Sequence, residues 1–171
     1  KKPYDGILLG VDPSLRGTGL AVLSFTSGQA SLSTSLTLKL KPKVPFDVCL
    51  GRIHQSVVSF LKAHEPRHLA LEQTIYVQNT KTALILGSVR GAVISAAAVQ
   101  GIPVFEYPPL RVKQAVVGYG RASKEQVART VAQLLTGGEE LDFDEADAAG
   151  VALCHAMTWD GVEVLRSAIE E

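Results

Sequence analysis

Cysteine is scarce in this chain: only Cys49 and Cys154 occur in 171 residues. With no CxxC pair and no Cys/His cluster, a disulfide framework is excluded and a structural zinc site has no support. Both cysteines fall in segments that read as helices, so they are expected to be reduced core thiols of a cytoplasmic protein. Long apolar runs are also missing. None reaches the roughly 20 residues that cross a bilayer, so no membrane is expected, and Lys1-Lys2-Pro3-Tyr4-Asp5 lacks the anatomy of a signal peptide. There is no internal repeat, low-complexity tract or dividing linker, which points to a single domain over 1–171. A chain of this length buries about two-thirds of its unfolded surface. A hydrophobic content of 46% supplies an ordinary soluble core.

Net charge is the other absence, at a formal value of zero. By itself that argues against a nucleic-acid partner, since phosphate neutralisation calls for basic surface. The distribution matters more than the sum. Residues 80–130 carry Lys81, Arg90, Arg111, Lys113, Arg121, Lys124 and Arg129 against Glu106 and Glu125, seven bases to two acids and so an excess of +5. Residues 131–171 carry ten acids and one base, Arg166. An acidic tail hides a basic middle, which is either a solvated pattern or a strip that faces phosphates.

What is present is a clear alternation of elements. Gly6 to Val11 is a short apolar strand ending in the turn Asp12-Pro13-Ser14. Thr18 to Phe25 is a second strand. Ser31 to Leu40 alternates with period two, placing Leu32, Leu36, Leu38 and Leu40 on one face of a third. Phe46 to His64 has helical spacing and is broken by Pro66. Arg67 to Glu72 is a strand ending on a carboxylate. Thr82 to Gln100 is a long helix stopped by Gly101, and Ile102 to Tyr107 a fifth strand. Pro109 opens a helix to about Val117; Ser123 and Gln126 form a capping box for another, ending near Gly137-Gly138. The last helix begins near Asp144. A right-handed crossover sets the fourth and fifth strands parallel to the first. The expected architecture is α/β, a five-stranded mixed sheet flanked by helices on both faces.

Four acids sit where such a sheet puts a ligand site. Asp12 closes the first strand and Glu72 the fourth, so parallel neighbours bring both to one edge. Asp144 and Asp147 open the last helix at i and i+3 and share a face. Two carboxylates about 4 Å apart repel by roughly 4 kcal/mol at an effective dielectric near 20, so such a cluster takes up protons or a cation. Oxygen-only ligands favour Mg²⁺ or Mn²⁺. Paired ions of this kind suit phosphodiester cleavage, one activating water and the other stabilising the leaving oxygen. Each acid has a plainer reading. Asp12 could form the turn before Pro13, and Asp144 could be an N-cap with Asp147 favoured by the helix dipole. Asp142 competes for a place in the cluster, and Glu145 is expected to point to solvent.

The blocks GVDPSLRGTG (10–19), LALEQTIYVQNTKTALILGSVRGAV (69–93), PVFEYPPLRVKQAVVGYGRASKEQV (103–127) and DEADAAGVALCHA (144–156) carry a resemblance. Together they resemble the RuvC family of Holliday junction resolvases, in the ribonuclease H-like superfamily. They cover nearly half the chain in order, leaving 28–66 and the tail after Trp159 least similar. The resemblance implies a homodimer that nicks two opposing strands of four-way junction DNA. It implies two Mg²⁺ per site, replaceable by Mn²⁺, and nicks that leave 5′-phosphate and 3′-hydroxyl ends. The family's catalytic acids fall on Asp12, Glu72, Asp144 and Asp147, and its two lysines near the junction backbone on Lys113 and Lys124. Its dimer helix falls on 82–100, and its members act with a branch-migration helicase of two other subunits.

Lys113 and Lys124, with Arg90 and Arg121, are the expected DNA contacts in the basic middle. The loop after Glu72 is where the family stacks an aromatic on a base, and this chain offers Tyr76 beside Ile75. Three rival readings stay open: a ribonuclease H-like nuclease on another substrate such as structured RNA, a non-catalytic junction-binding module, and an actin-like ATPase or sugar kinase. The last needs two such domains, and 171 residues supply one.

Overall fold

The computed structural model describes residues 2–74 and 78–162. Tyr76 and its neighbour Ile75 lie outside the described residues. Three strands open the chain as an antiparallel meander: β1 (Gly6–Asp12), β2 (Gly17–Thr26) and β3 (Gln29–Lys39). Then come α1 (Phe46–His64), β4 (His68–Glu72), α2 (Thr80–Val99), β5 (Val104–Tyr107), α3 (Pro109–Val116), α4 (Lys124–Leu134), β6 (Leu135–Thr136) and α5 (Phe143–Thr158). The sheet order is β5-β4-β1-β2-β3-β6, with β4 parallel to both β1 and β5. The sheet thus has six strands rather than five. The extra one, β6, pairs only Leu135 and Thr136 with Ala30 and Ser31. Two residues at the end of a helix carry no period-two signal, so this strand exists only through its partner.

β1 is buried on both faces, which is why GILLGV reads as one apolar run rather than an alternation. Leu8 packs with Ala70, Val112, Val127 and Ala152 on the face covered by α3, α4 and α5. Leu9 and Val11 pack with Ile53, Val57, Val89 and Val93 on the face covered by α1 and α2. The capping box at Ser123 is formed in both directions with Gln126. Gly101, at φ +72°, adopts the left-handed conformation that follows the end of α2.

α2 departs from expectation. An 18-residue window of this 20-residue helix averages a hydropathy of 1.7, long and apolar enough by those measures to cross a membrane. An uninterrupted-run criterion misses it because Thr, Ser and Gly interleave with Ala, Leu, Ile and Val. One face packs on the sheet and α1 through Val89, Val93, Ala96 and Ala97. The other leaves Leu84 at 67% and Val99 at 79% exposure.

Candidate active site

The site forms where β1 and β4 end side by side. The parallel register runs from Leu8 opposite His68 to Val11 opposite Leu71, so the next residues along, Asp12 and Glu72, emerge together. The two carboxyls lie within hydrogen-bond reach of each other. Burial, then the charges of Glu72 and Asp147, push Asp12 up to about 9. Burial and Asp147 push Glu72 up to about 7, against the pull of the Asp12 hydrogen bond and of Lys124 and Lys113. A buried acid pair that cannot ionise twice holds a proton between its members near neutrality.

The turn after Asp12 is tied down locally. The Gly17 amide donates to Ser14 Oγ at 2.9 Å, and the Ser14 amide to Thr18 Oγ1 at 3.2 Å. Arg16 donates to the carbonyls of Lys41 at 2.7 Å and Val44 at 3.2 Å, linking this turn to the loop before α1.

α5 delivers the other two acids. Its N-cap is Asp142, whose carboxylate accepts from the Glu145 amide at 2.8 Å and from the Thr37 hydroxyl at 2.8 and 2.9 Å. The N-cap reading of Asp144 is therefore overturned, and Asp142 is spent on the cap and on β3. Burial raises Asp142, but these hydrogen bonds more than offset it and leave the group below its ordinary value. Glu145 does not point to solvent as expected. It is half-buried and accepts the Ser35 hydroxyl at 2.5 Å, because α5 begins over β3 rather than beyond the sheet edge.

Two strand glycines let α5 descend onto the sheet. A Cβ at Gly19 would lie 2.1 Å from the Asp144 carbonyl oxygen, and one at Gly10 would lie 2.0 Å from that of Ala148. Gly19 pairs with Asp12 across β1 and β2, so the backbone of Asp144 passes directly beside the Asp12 pair. Asp12 feels the charges of Glu72, Asp147 and Asp144, which places all four acids at one edge. Burial also raises Asp147, although Lys124 opposes it.

Among the expected bases, Lys124 at the start of α4 sits 3.5 Å from Asp147 Oδ2. The charge of Asp147, helped by that of Asp12, holds that ammonium above its ordinary range against the opposing effect of burial. Lys113, in α3, is close enough to draw down both Glu72 and Asp147. Arg121 is exposed in the turn between α3 and α4. Arg90 is already engaged, its Nε and Nη2 donating to Glu106 at 2.6 and 2.9 Å. Arg16, Thr37, Ser35, Gly10 and Gly19 were not singled out from sequence. Only the glycines left a signal, since a glycine inside a strand marks close backbone approach.

The donor set is all oxygen. Among the described residues no three of these side chains close on one point as a finished cage. The acids form an open rim with raised proton affinity. That suits a hard divalent cation that retains waters and displaces the shared proton.

The family model described as "Crossover junction endodeoxyribonuclease RuvC" matches residues 8–155. The RuvC of Pelotomaculum thermopropionicum is 40% identical over 157 residues, 90% of this chain and 96% of its own length. That of Burkholderia pseudomallei is 42% identical over 149 residues, 87% of this chain and 82% of its own. The structure of T. thermophilus RuvC in complex with Holliday junction substrate superimposes with a TM-score of 0.83 at 34% identity, covering 89% of this chain and 93% of that one. With the family match spanning every element from β1 to α5, the chain belongs to the RuvC family of crossover junction endodeoxyribonucleases, whose nuclease fold implies divalent-metal use.

Proposed function

We propose that this protein resolves four-way DNA junctions in recombination and repair. It does so by paired symmetric nicks that leave 5′-phosphate and 3′-hydroxyl ends. The observation that carries the reading is the convergence of Asp12, Glu72, Asp144 and Asp147 on one sheet edge, with Lys113 and Lys124 beside them.

Asp12, Glu72, Asp144 and Asp147 would hold two Mg²⁺, with Mn²⁺ able to replace them. When bound, the ions supply a water acidic enough to attack phosphorus at neutral pH and neutralise charge on the leaving oxygen. The chain's own groups do the rest. The raised Asp12–Glu72 pair gives up its proton as the acids become ligands. Lys124, reaching from α4, and Lys113, from α3, bring positive charge to the scissile phosphate. Arg121 lies on the same basic stretch and contacts the backbone of an arm. The exposed apolar face of α2 joins two copies, so that two sites meet a two-fold junction. The proposed setting is the cytoplasm, alongside a branch-migration helicase of two other subunits. Cys154 fits that setting, a buried thiol pushed up to about 11 and so inert.

The test is a synthetic four-way junction incubated with and without Mg²⁺, beside duplex and RNA–DNA hybrid, with product ends mapped. Paired nicks confined to the junction and to metal-containing lanes are expected. Asp12→Asn should bind the junction and not cut it; cutting at the wild-type rate would end the assignment.

A further inference from the structure

A second basic stretch precedes α1. Residues 13–46 carry Arg16, Lys39, Lys41 and Lys43 and no acid; the first acid after them is Asp47. Lys39, Lys41 and Lys43 are exposed, and among the described residues none of the three is in an ion pair. The loop that carries them is fixed in place. Leu40 is buried, and its amide donates to the Arg16 carbonyl at 3.1 Å. The Val44 amide donates to the Lys41 carbonyl at 3.0 Å, and Arg16 Nη1 donates to the carbonyls of both residues. Pro42 and Pro45 lock φ on either side of Lys43 and Val44. Three like charges therefore stand on an ordered support, where they repel one another unless an anion answers them.

The position of the loop ties it to the carboxylates. Lys39 pairs with Gly17 across β3 and β2, and a Cβ at Gly17 would lie 3.6 Å from Asp144 Oδ2. Lys39 is also close enough to help draw down Asp142, the cap of α5. In the sheet, β2 and β3 lie to one side of β1, and β4 and β5 to the other. Lys113 follows β5 and acts on Glu72, so it stands on the β4 side of Asp12. Lys39, Lys41 and Lys43 stand on the β3 side. A polyanion that crosses the carboxylates meets positive charge before them and after them.

We propose that the loop 39–43 is a second backbone grip, which holds DNA phosphates on the β3 side of the cut while Lys113 and Lys124 hold those at the cut itself. This rests on the nuclease reading above. Lysine suits the task, since a compact charge on a flexible stem meets phosphate oxygens from many directions and reads no base. An acidic protein segment would answer the same charge. The continuity of the loop with the carboxylate edge favours the polyanion that the site itself takes.

The test compares wild-type protein with Lys39→Gln/Lys41→Gln/Lys43→Gln, and with Lys41→Gln/Lys43→Gln, whose changes lie outside the strands. Binding to a synthetic four-way junction is measured in EDTA over a range of KCl, and folding by thermal melting. Each lost phosphate contact lowers the slope of log affinity against log salt by about 0.9, so the triple variant should lose about 2 to 3 and the double variant about 2. Melting should be unchanged in the double variant, which carries the test if the triple variant does not fold. A second arm places a neutral methylphosphonate at each linkage on either side of the nick. Wild type should lose affinity at positions on both sides, and the variants should be insensitive on one side alone. An unchanged salt slope overturns the grip and leaves the lysines to an acidic protein segment. A lower slope with no linkage at which wild type and variants differ shows diffuse attraction and also overturns it. Either result leaves junction cleavage by wild type intact. A wild-type protein that neither binds nor cuts a junction overturns the nuclease reading, and this one with it.

Discussion

Asp12 and Glu72 end apolar strands, where an ionised carboxylate is hardest to keep. Their shared proton gives a distinctive pH dependence. Both acids have folded values above the ordinary carboxylate range. The folded state therefore binds more protons than the unfolded state between about pH 4, where free carboxyls titrate, and about 9. Stability of the metal-free protein should fall as pH rises through that window, contrary to the usual acid lability. Thermal melting in EDTA from pH 5 to 9 checks this: the midpoint should drop with pH, and Asp12→Asn should flatten the slope. A midpoint that climbs with pH would contradict the raised values. Added Mg²⁺ should raise the midpoint most at the alkaline end, where no proton competes.

Lys124 belongs to the same scale. Its ammonium meets Asp147 across 3.5 Å with its side chain largely exposed, so the pair adds little to folding. Its proposed worth is in the reaction. Lys124→Ala should lower the single-turnover cutting rate by about 10²-fold, with junction binding and melting changed little. Equal losses of binding and rate would assign it to general DNA affinity instead.

Among the elements, α5 matters most, because its first turn carries two of the four acids and its position depends on residues in other strands. Gly10 and Gly19 remove the side chains that would hold it off the sheet, and Thr37 and Ser35 fasten its start through Asp142 and Glu145. A methyl group at Gly19 cannot coexist with the Asp144 carbonyl, and the obstacle is backbone, so the helix itself must move. Gly19→Ala should cost about 1–3 kcal/mol in urea unfolding and abolish cutting even where the protein remains folded. Wild-type cutting by this variant would show that α5 need not sit so close.

At the scale of the whole molecule, the open question is α2. Its apolar face, with Leu84 and Val99 exposed, is far less polar than a solvated helix surface. In the proposed dimer this face is the seam. Leu84→Glu should weaken self-association by about ten-fold or more in sedimentation analysis, leaving secondary structure intact and cutting the two junction strands out of step. A wild-type protein that sediments as a monomer at all concentrations would remove the seam.

Much of the fold was legible in the chain because period and punctuation are local. Pro66, Gly101 and the Ser123–Gln126 box mark element ends by their own backbone chemistry, and parallel β1 and β4 follow from crossover handedness. The fold class, the order of elements and the four acids came from such signals, sharpened by motifs that resemble a known family. Tertiary structure decided the rest. It added β6, which has no pattern of its own, and made Asp142 the cap of α5. It also turned Glu145 inward to Ser35 and committed Arg90 to Glu106. Each of these depends on which residue from a distant element arrives at contact distance, and spacing along the chain does not carry that information.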